Sequence, residues 1–112
     1  MKCLSFNYRG MTRSPKKLSL RRLFESEPID IIFLQEILSE AQHIIYILKS
    51  MNPGWEFLSL DAVGRSGGLA LGYNPHSINL KSLWGGKGFI GIDIFSVELG
   101  MDLRVINVYG PF

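Results

Sequence analysis

The stretch "PIDIIFLQE", residues 28–36, constrains the fold more than any other in the chain. Ile29, Ile31, Ile32, Phe33 and Leu34 form a nearly continuous apolar run, which reads as a buried inner strand over residues 30–35. It ends abruptly on Gln35 and Glu36. A carboxylate is among the groups least often buried without a partner. Glu36 therefore either emerges into water at the strand's tip or meets positive charge there.

The flanking sequence supplies the neighbours such a strand needs. "KCLSF" is a short strand-like opening at residues 2–6, followed by a loop in "NYRGMTRSPKK". Ser14 and Pro15 have the form of an N-cap with proline at the first helical position. A helix to about Ser26 puts Leu20, Leu23 and Phe24 on one side, and Pro28 stops it. Beyond the inner strand, Ser39-Glu40-Ala41-Gln42 fits a capping box. Ala41, Ile44, Ile45 and Leu48 then recur at helical spacing to about Met51, before Asn52-Pro53-Gly54.

The second half changes character. Strands are expected at 56–60, 68–73, 78–84, 91–99 and 103–109, several separated by glycine-bearing turns. The order strand, helix, strand, helix and then a run of strands predicts a mixed α/β (α+β) fold with helices on one face of a sheet.

A length of 112 residues suits one domain. With 46% apolar and 20% charged residues, the chain reads as globular rather than disordered. Cys3 is the only cysteine, which excludes an internal disulfide and a multi-cysteine zinc site. It favours a reducing, intracellular setting, nucleus or cytoplasm. No apolar stretch approaches the ~18 residues of a membrane span, so no membrane partner is expected.

Charge is unevenly distributed. Lys2, Arg9, Arg13, Lys16, Lys17, Arg21 and Arg22 all precede the first acid, Glu25. Such a segment suits a phosphate backbone, and equally a solvated loop and helix face.

Three polar features stand at the ends of apolar strands: Asn7, Glu36, and Asn107-Val108-Tyr109. Sites in α/β sheets tend to form where strand ends meet loops. If the first two strands are parallel neighbours, Asn7 and Glu36 come side by side. A carboxylate beside an amide, with a tyrosine nearby, suits magnesium and phosphate. A solvated glutamate or a helix-capping partner is the other reading of Glu36.

Four segments in order, "MKCLSFNYRGM", "PIDIIFLQE", "SGGLALGYN" and "VINVYGPF", resemble the N-terminal half of the endonuclease/exonuclease/phosphatase superfamily, the DNase I-like fold. They look most like the endonuclease domains of plant non-LTR (LINE-type) retrotransposons, whose opening typically reads "WNCRG". The resemblance implies one half of a four-layer α-β-β-α sandwich. It implies that Glu36 ligands a catalytic magnesium or manganese ion, that Asn7 contacts the metal site and scissile phosphate, and that Tyr109 hydrogen-bonds the phosphate. The "SGG" at 66–68 would start a strand bordering the substrate groove.

Departures from that pattern matter. Phe6 and Tyr8 replace the usual tryptophan and cysteine, and Arg9 replaces the acidic residue of repair-type relatives. The superfamily's second half carries "GDFN"-like and "SDH"-like motifs that position and activate water, and neither follows Phe112 here. His43 and His76 read as incidental. The resemblance thus implies an endonuclease-like domain, inactive or weakly active alone, with DNA as partner and self-association or homodimerisation through an exposed apolar sheet face. A non-catalytic module binding nucleic acid through Arg9, Arg13, Lys16, Lys17, Arg21 and Arg22 is the alternative, as is a pseudogene product without activity.

Overall fold

The computed structural model describes residues 1–7, 14–37, 41–60, 68–86 and 88–108, with backbone alone at 7, 14–17, 36–37, 41–44, 60 and 68. The elements run β1 (Cys3–Asn7), α1 (Ser14–Ser26), β2 (Ile31–Ile37), α2 (Ala41–Met51), β3 (Glu56–Leu60), β4 (Gly68–Tyr73), β5 (Ile78–Gly86), β6 (Phe89–Ser96) and β7 (Met101–Val108). The chain divides into two compact units, Lys2–Asn74 and Pro75–Phe112 with Met1. The described strands form two sheets, a four-stranded one ordered β1-β2-β4-β3 and a three-stranded one ordered β5-β6-β7.

In the first unit β1 and β2 are parallel, with α1 as the crossover that parallel neighbours require. β4 runs antiparallel to both β2 and β3. Ile32 and Leu34, alternate residues of β2, pack with Phe57, Ala70, Ile29 and Trp55. Leu20 from α1 and Leu48 from α2 complete this core, and Leu23, Phe24, Ile45 and Met51 pack against it. Both helices therefore cover the same face of the sheet, as their apolar spacing requires. Phe24 meets Trp55 edge-on at 5.1 Å, and Trp55 stacks with Phe57 at 6.2 Å. Helix α2 stops where Asn52-Pro53-Gly54 begins, and the Trp55 amide donates to the Asn52 carbonyl. The capping box expected at 39–42 lies outside the residues with described side chains.

Ile31, Phe33 and Leu71, on the other face of the sheet, are buried as well. A central strand apolar on both sides explains the unbroken run from Ile31 to Leu34. The expectation of an exposed apolar sheet face is not met at these positions of β2 and β4, where Ile31, Phe33 and Leu71 are all buried. Of the described large apolar side chains that are exposed, most lie elsewhere: Val97, Leu99, Met101, Ile106 and Val108.

In the second unit, β5, β6 and β7 form an antiparallel meander with Ile78, Ile90, Ile92 and Ile94 buried. The sixth strand was expected over 91–99 and instead ends at Ser96. The Leu99 amide donates to the Ser96 hydroxyl at 3.2 Å and the Gly100 amide to the Ser96 carbonyl at 2.8 Å. Gly100, at φ 65°, reverses the chain, and β7 consequently starts at Met101 rather than 103.

Candidate functional site

The parallel register of β1 and β2 pairs Cys3 with Ile31 and continues to Asn7 opposite Gln35. Asn7 and Glu36 thus stand at neighbouring ends of two parallel strands. This juxtaposition follows from the α1 crossover and was anticipated from sequence. Next to it, the Gln35 amide donates to the Ser5 hydroxyl at 2.7 Å, bonding the two strands just before their ends. The pairing of β2 with β4 is regular through Leu34 and shifts between Leu34 and Ile37, the segment that carries Glu36. Such irregularities recur beside functional sites because they re-aim the backbone.

The other expected site residues distribute as follows. Tyr109 lies outside the described residues, as do Arg9 and Arg13. Lys16 and Lys17 occupy the first turn of α1, with backbone alone described. Arg21 and Arg22 are exposed on α1, whose buried side is Leu20. His43 is within α2, and His76 is exposed in the turn before β5. Among the described residues no group of three or more His, Cys, Asp and Glu side chains is arranged to hold a metal ion.

A second polar constellation lies on β5, β6 and β7 and escaped the sequence reading. Asp93 accepts from Arg104 Nε at 2.8 Å and Nη2 at 3.3 Å, and from the Ser82 hydroxyl at 2.8 Å. The Arg104 guanidinium also lies 5.1 Å from the centre of the Trp84 ring. Beside them Lys81 pairs with Asp102 at 2.9 Å. Lys81, Ser82, Asp93, Asp102 and Arg104 line an open groove of about 430 Å³. Their grouping depends on cross-strand register, including a shift between Leu80 and Ser82, so no spacing in the sequence announces it.

Hydrogen bonds from Arg104 and then Ser82 hold the Asp93 carboxyl down to about 2. A carboxylate depressed in the folded state stabilises the fold above its unfolded value of about 4. That contribution fades as pH falls through the folded value. Acid unfolding of the parent should thus extend below pH 4 more steeply than that of Asp93→Asn, which lacks this proton uptake. Identical acid melts by circular dichroism would refute the assignment.

No protein-family model matches the sequence, and no curated protein matches it. Solved structures do. An endonuclease/exonuclease/phosphatase family protein from Bacteroides thetaiotaomicron superposes with a TM-score of 0.69 at 14% identity, covering 95% of this chain and 48% of that one. TDP2 from D. rerio, complexed with a single-strand DNA product, gives 0.71 at 13% identity over 92% of this chain and 43% of its own. ANGEL2, a 2',3'-cyclic phosphatase in complex with adenosine-2',3'-vanadate, gives 0.70 at 14% identity, covering 94% of this chain and 40% of that one. The chain spans about half the length of the solved structures it matches. Two sheets, helices on one face of the first, and these superpositions together show an α+β fold of the DNase I-like kind, of which the chain spans about half.

Proposed function

We propose that the chain is part of a metal-dependent phosphoesterase domain acting on nucleic acid, DNA foremost, of the LINE-type endonuclease kind. The observation that carries this reading is the placement of Asn7 and Glu36 at adjacent parallel strand ends. Glu36 and Asn7 would hold magnesium or manganese. When bound, the ion offsets charge on the phosphoryl oxygens. The Asn7 amide would orient the phosphate or a water, and the Tyr109 hydroxyl would donate to a phosphate oxygen. The DNA product on the D. rerio neighbour and the cyclic phosphate chemistry of ANGEL2 support the substrate class.

This reading assigns neither His43, in α2, nor His76, in the turn before β5, to water activation. Loss of a positioned general base costs roughly 100-fold to 10,000-fold in rate. We therefore expect slow turnover, with metal binding as the more sensitive readout. Glu36→Gln should weaken manganese binding roughly tenfold or more and remove whatever metal-dependent plasmid nicking the parent shows. Manganese affinity unchanged in Glu36→Gln would sink the assignment.

A second reading rests on Arg21 and Arg22, exposed on the helix that also carries Lys16 and Lys17. In it the chain binds nucleic acid without cutting it. Salt-dependent DNA binding that survives Glu36→Gln and falls with Arg21→Glu/Arg22→Glu would favour this module. Self-association belongs to either reading, and the exposed apolar side chains of Pro75–Phe112 are what support it.

A further inference from the structure

We infer that Ser5 and Gln35 are a positioning pair, whose hydrogen bond fixes a β-bulge at Gln35 and Glu36 that brings position 36 to the sheet face of position 7. The inference rests on the reading of Asn7 and Glu36 as metal-holding residues. It concerns pairings made wholly among β1, β2 and β4.

The bulge follows from register. β2 and β4 pair regularly from Ile31 opposite Tyr73 to Leu34 opposite Ala70, and the next pair is Ile37 opposite Gly68. Two residues of β2, Gln35 and Glu36, therefore stand against the single residue Leu69 of β4. That count defines a bulge, with the extra residue on β2. On its other side β2 keeps a regular parallel ladder with β1, from Cys3 opposite Ile31 to Asn7 opposite Gln35. The irregularity thus falls on the β4 side alone.

Side chains alternate along a regular strand, and residues paired across a sheet share a face. Ile32 and Leu34 belong to the face that the helices cover, so Ile31, Phe33 and Gln35 belong to the other. Position 7 pairs with Gln35 and shares that second face. Regular alternation would then send position 36 to the helix-covered face, away from position 7. The bulge prevents this. Leu34 and Ile37 pair with Ala70 and Gly68, which are two residues apart on β4 and hence on one face. Both positions between them, 35 and 36, therefore fall on the opposite face. Positions 7, 35 and 36 share a face only because β2 carries its extra residue there.

An extra residue has to be held in place, because losing it slips the strand by one and reverses every face beyond it. Ser5 lies opposite Phe33, on the face of Gln35 and two residues before Asn7. The Gln35 Nε2 donates to the Ser5 Oγ at 2.7 Å. This bond ties the first residue of the bulge to the regular ladder of β1 and leaves the irregularity at Glu36. Neither Ser5 nor Gln35 is a metal ligand in this reading. Both act through the backbone that carries Glu36.

Nuclear magnetic resonance of the whole, metal-free chain tests the bulge. Backbone Overhauser contacts between Ile37 and Gly68 mark the bulged register, and contacts between Glu36 and Gly68 mark the regular one. The parent should show the first set. Ser5→Ala and Gln35→Met each lack the bond and should show the second set in a measurable fraction of molecules. Ser5→Thr keeps the hydroxyl and should retain the parent's contacts. Manganese binding, followed by electron paramagnetic resonance, should weaken roughly tenfold in Ser5→Ala and in Gln35→Met. It should weaken no further in the double variant and stay at the parent's value in Ser5→Thr. A bond that only stabilised the fold would, when lost, lower the melting temperature and leave register and manganese affinity alone.

A parent showing contacts between Glu36 and Gly68 has no bulge and overturns the inference. Persistence of the bulged register in both Ser5→Ala and Gln35→Met overturns it as well, whatever manganese does. A shifted register with unchanged manganese affinity, in a chain where Glu36→Gln weakens binding, defeats the link to the site. If the parent binds no manganese, or Glu36→Gln binds it equally well, the metal reading fails. The register result alone then decides whether Ser5 and Gln35 set the bulge.

Discussion

Trp55→Ala is expected to cost about 3–5 kcal/mol of folding stability, enough to leave the unit Lys2–Asn74 largely unfolded near physiological temperature. Trp55 is 7% exposed and stands where α1, β3 and the turn after α2 converge. Its ring meets Phe24 of α1 edge-on at 5.1 Å and stacks on Phe57 of β3 at 6.2 Å. Truncation removes both aromatic contacts and leaves a cavity that neither helix can close without leaving the sheet. Both described helices belong to this unit, so the helical circular dichroism signal reports it directly. A variant melting within about two degrees of the parent would show that the aromatic cluster contributes little.

Gly72→Val should be the second most damaging change. A Cβ at Gly72 would stand 2.6 Å from Cε1 of Phe57 and 3.0 Å from Cγ2 of Ile32, before valine's two further methyls are added. Gly72 pairs with Ile32 on one side and Phe57 on the other, so the new side chain rises into the core between them. The Phe57 ring cannot retreat easily, because Trp55 and Phe24 flank it. Overpacking of this kind costs about 1–3 kcal/mol or more. Trp55→Ala would free the Phe57 ring to move, so the two substitutions should be non-additive by about 1 kcal/mol in a double-mutant cycle. Strict additivity would mean that the ring has another way out.

These two sites also illustrate how unevenly the fold was legible. The inner strand at Ile31–Leu34 and the helix Ser14–Ser26 were readable because each carries its own periodic signal and its own stop. So were β3 and β4, bounded by breakers on the chain itself. The end of the sixth strand was not. Val97 and Leu99 look like strand residues, and only the Ser96 hydroxyl and the left-handed Gly100 turn them into a reversal. Gly72 as a packing requirement was equally invisible, since it depends on which residues lie opposite it on two other strands.

The candidate site divides in the same way. A carboxylate placed after a buried strand, and an asparagine after another, were visible as anomalies in composition. Their adjacency was conditional on a parallel pairing that the β1–α1–β2 connection supplies. The network of Asp93, Arg104, Ser82 and Trp84 had no such marker, because its members are ordinary strand residues until register brings them into one row.

What the sequence by itself determined is therefore local and periodic: which segments bury one face or two, where helices begin and stop, and which polar residues sit at strand ends. Those properties arise from residues within a few positions of one another, where covalent geometry alone sets the spacing. The division into two sheets and the row of charges on the second were decided only by tertiary structure. They depend on which strands become neighbours and in what register. Hydrogen bonding and packing settle that across tens of residues of intervening chain.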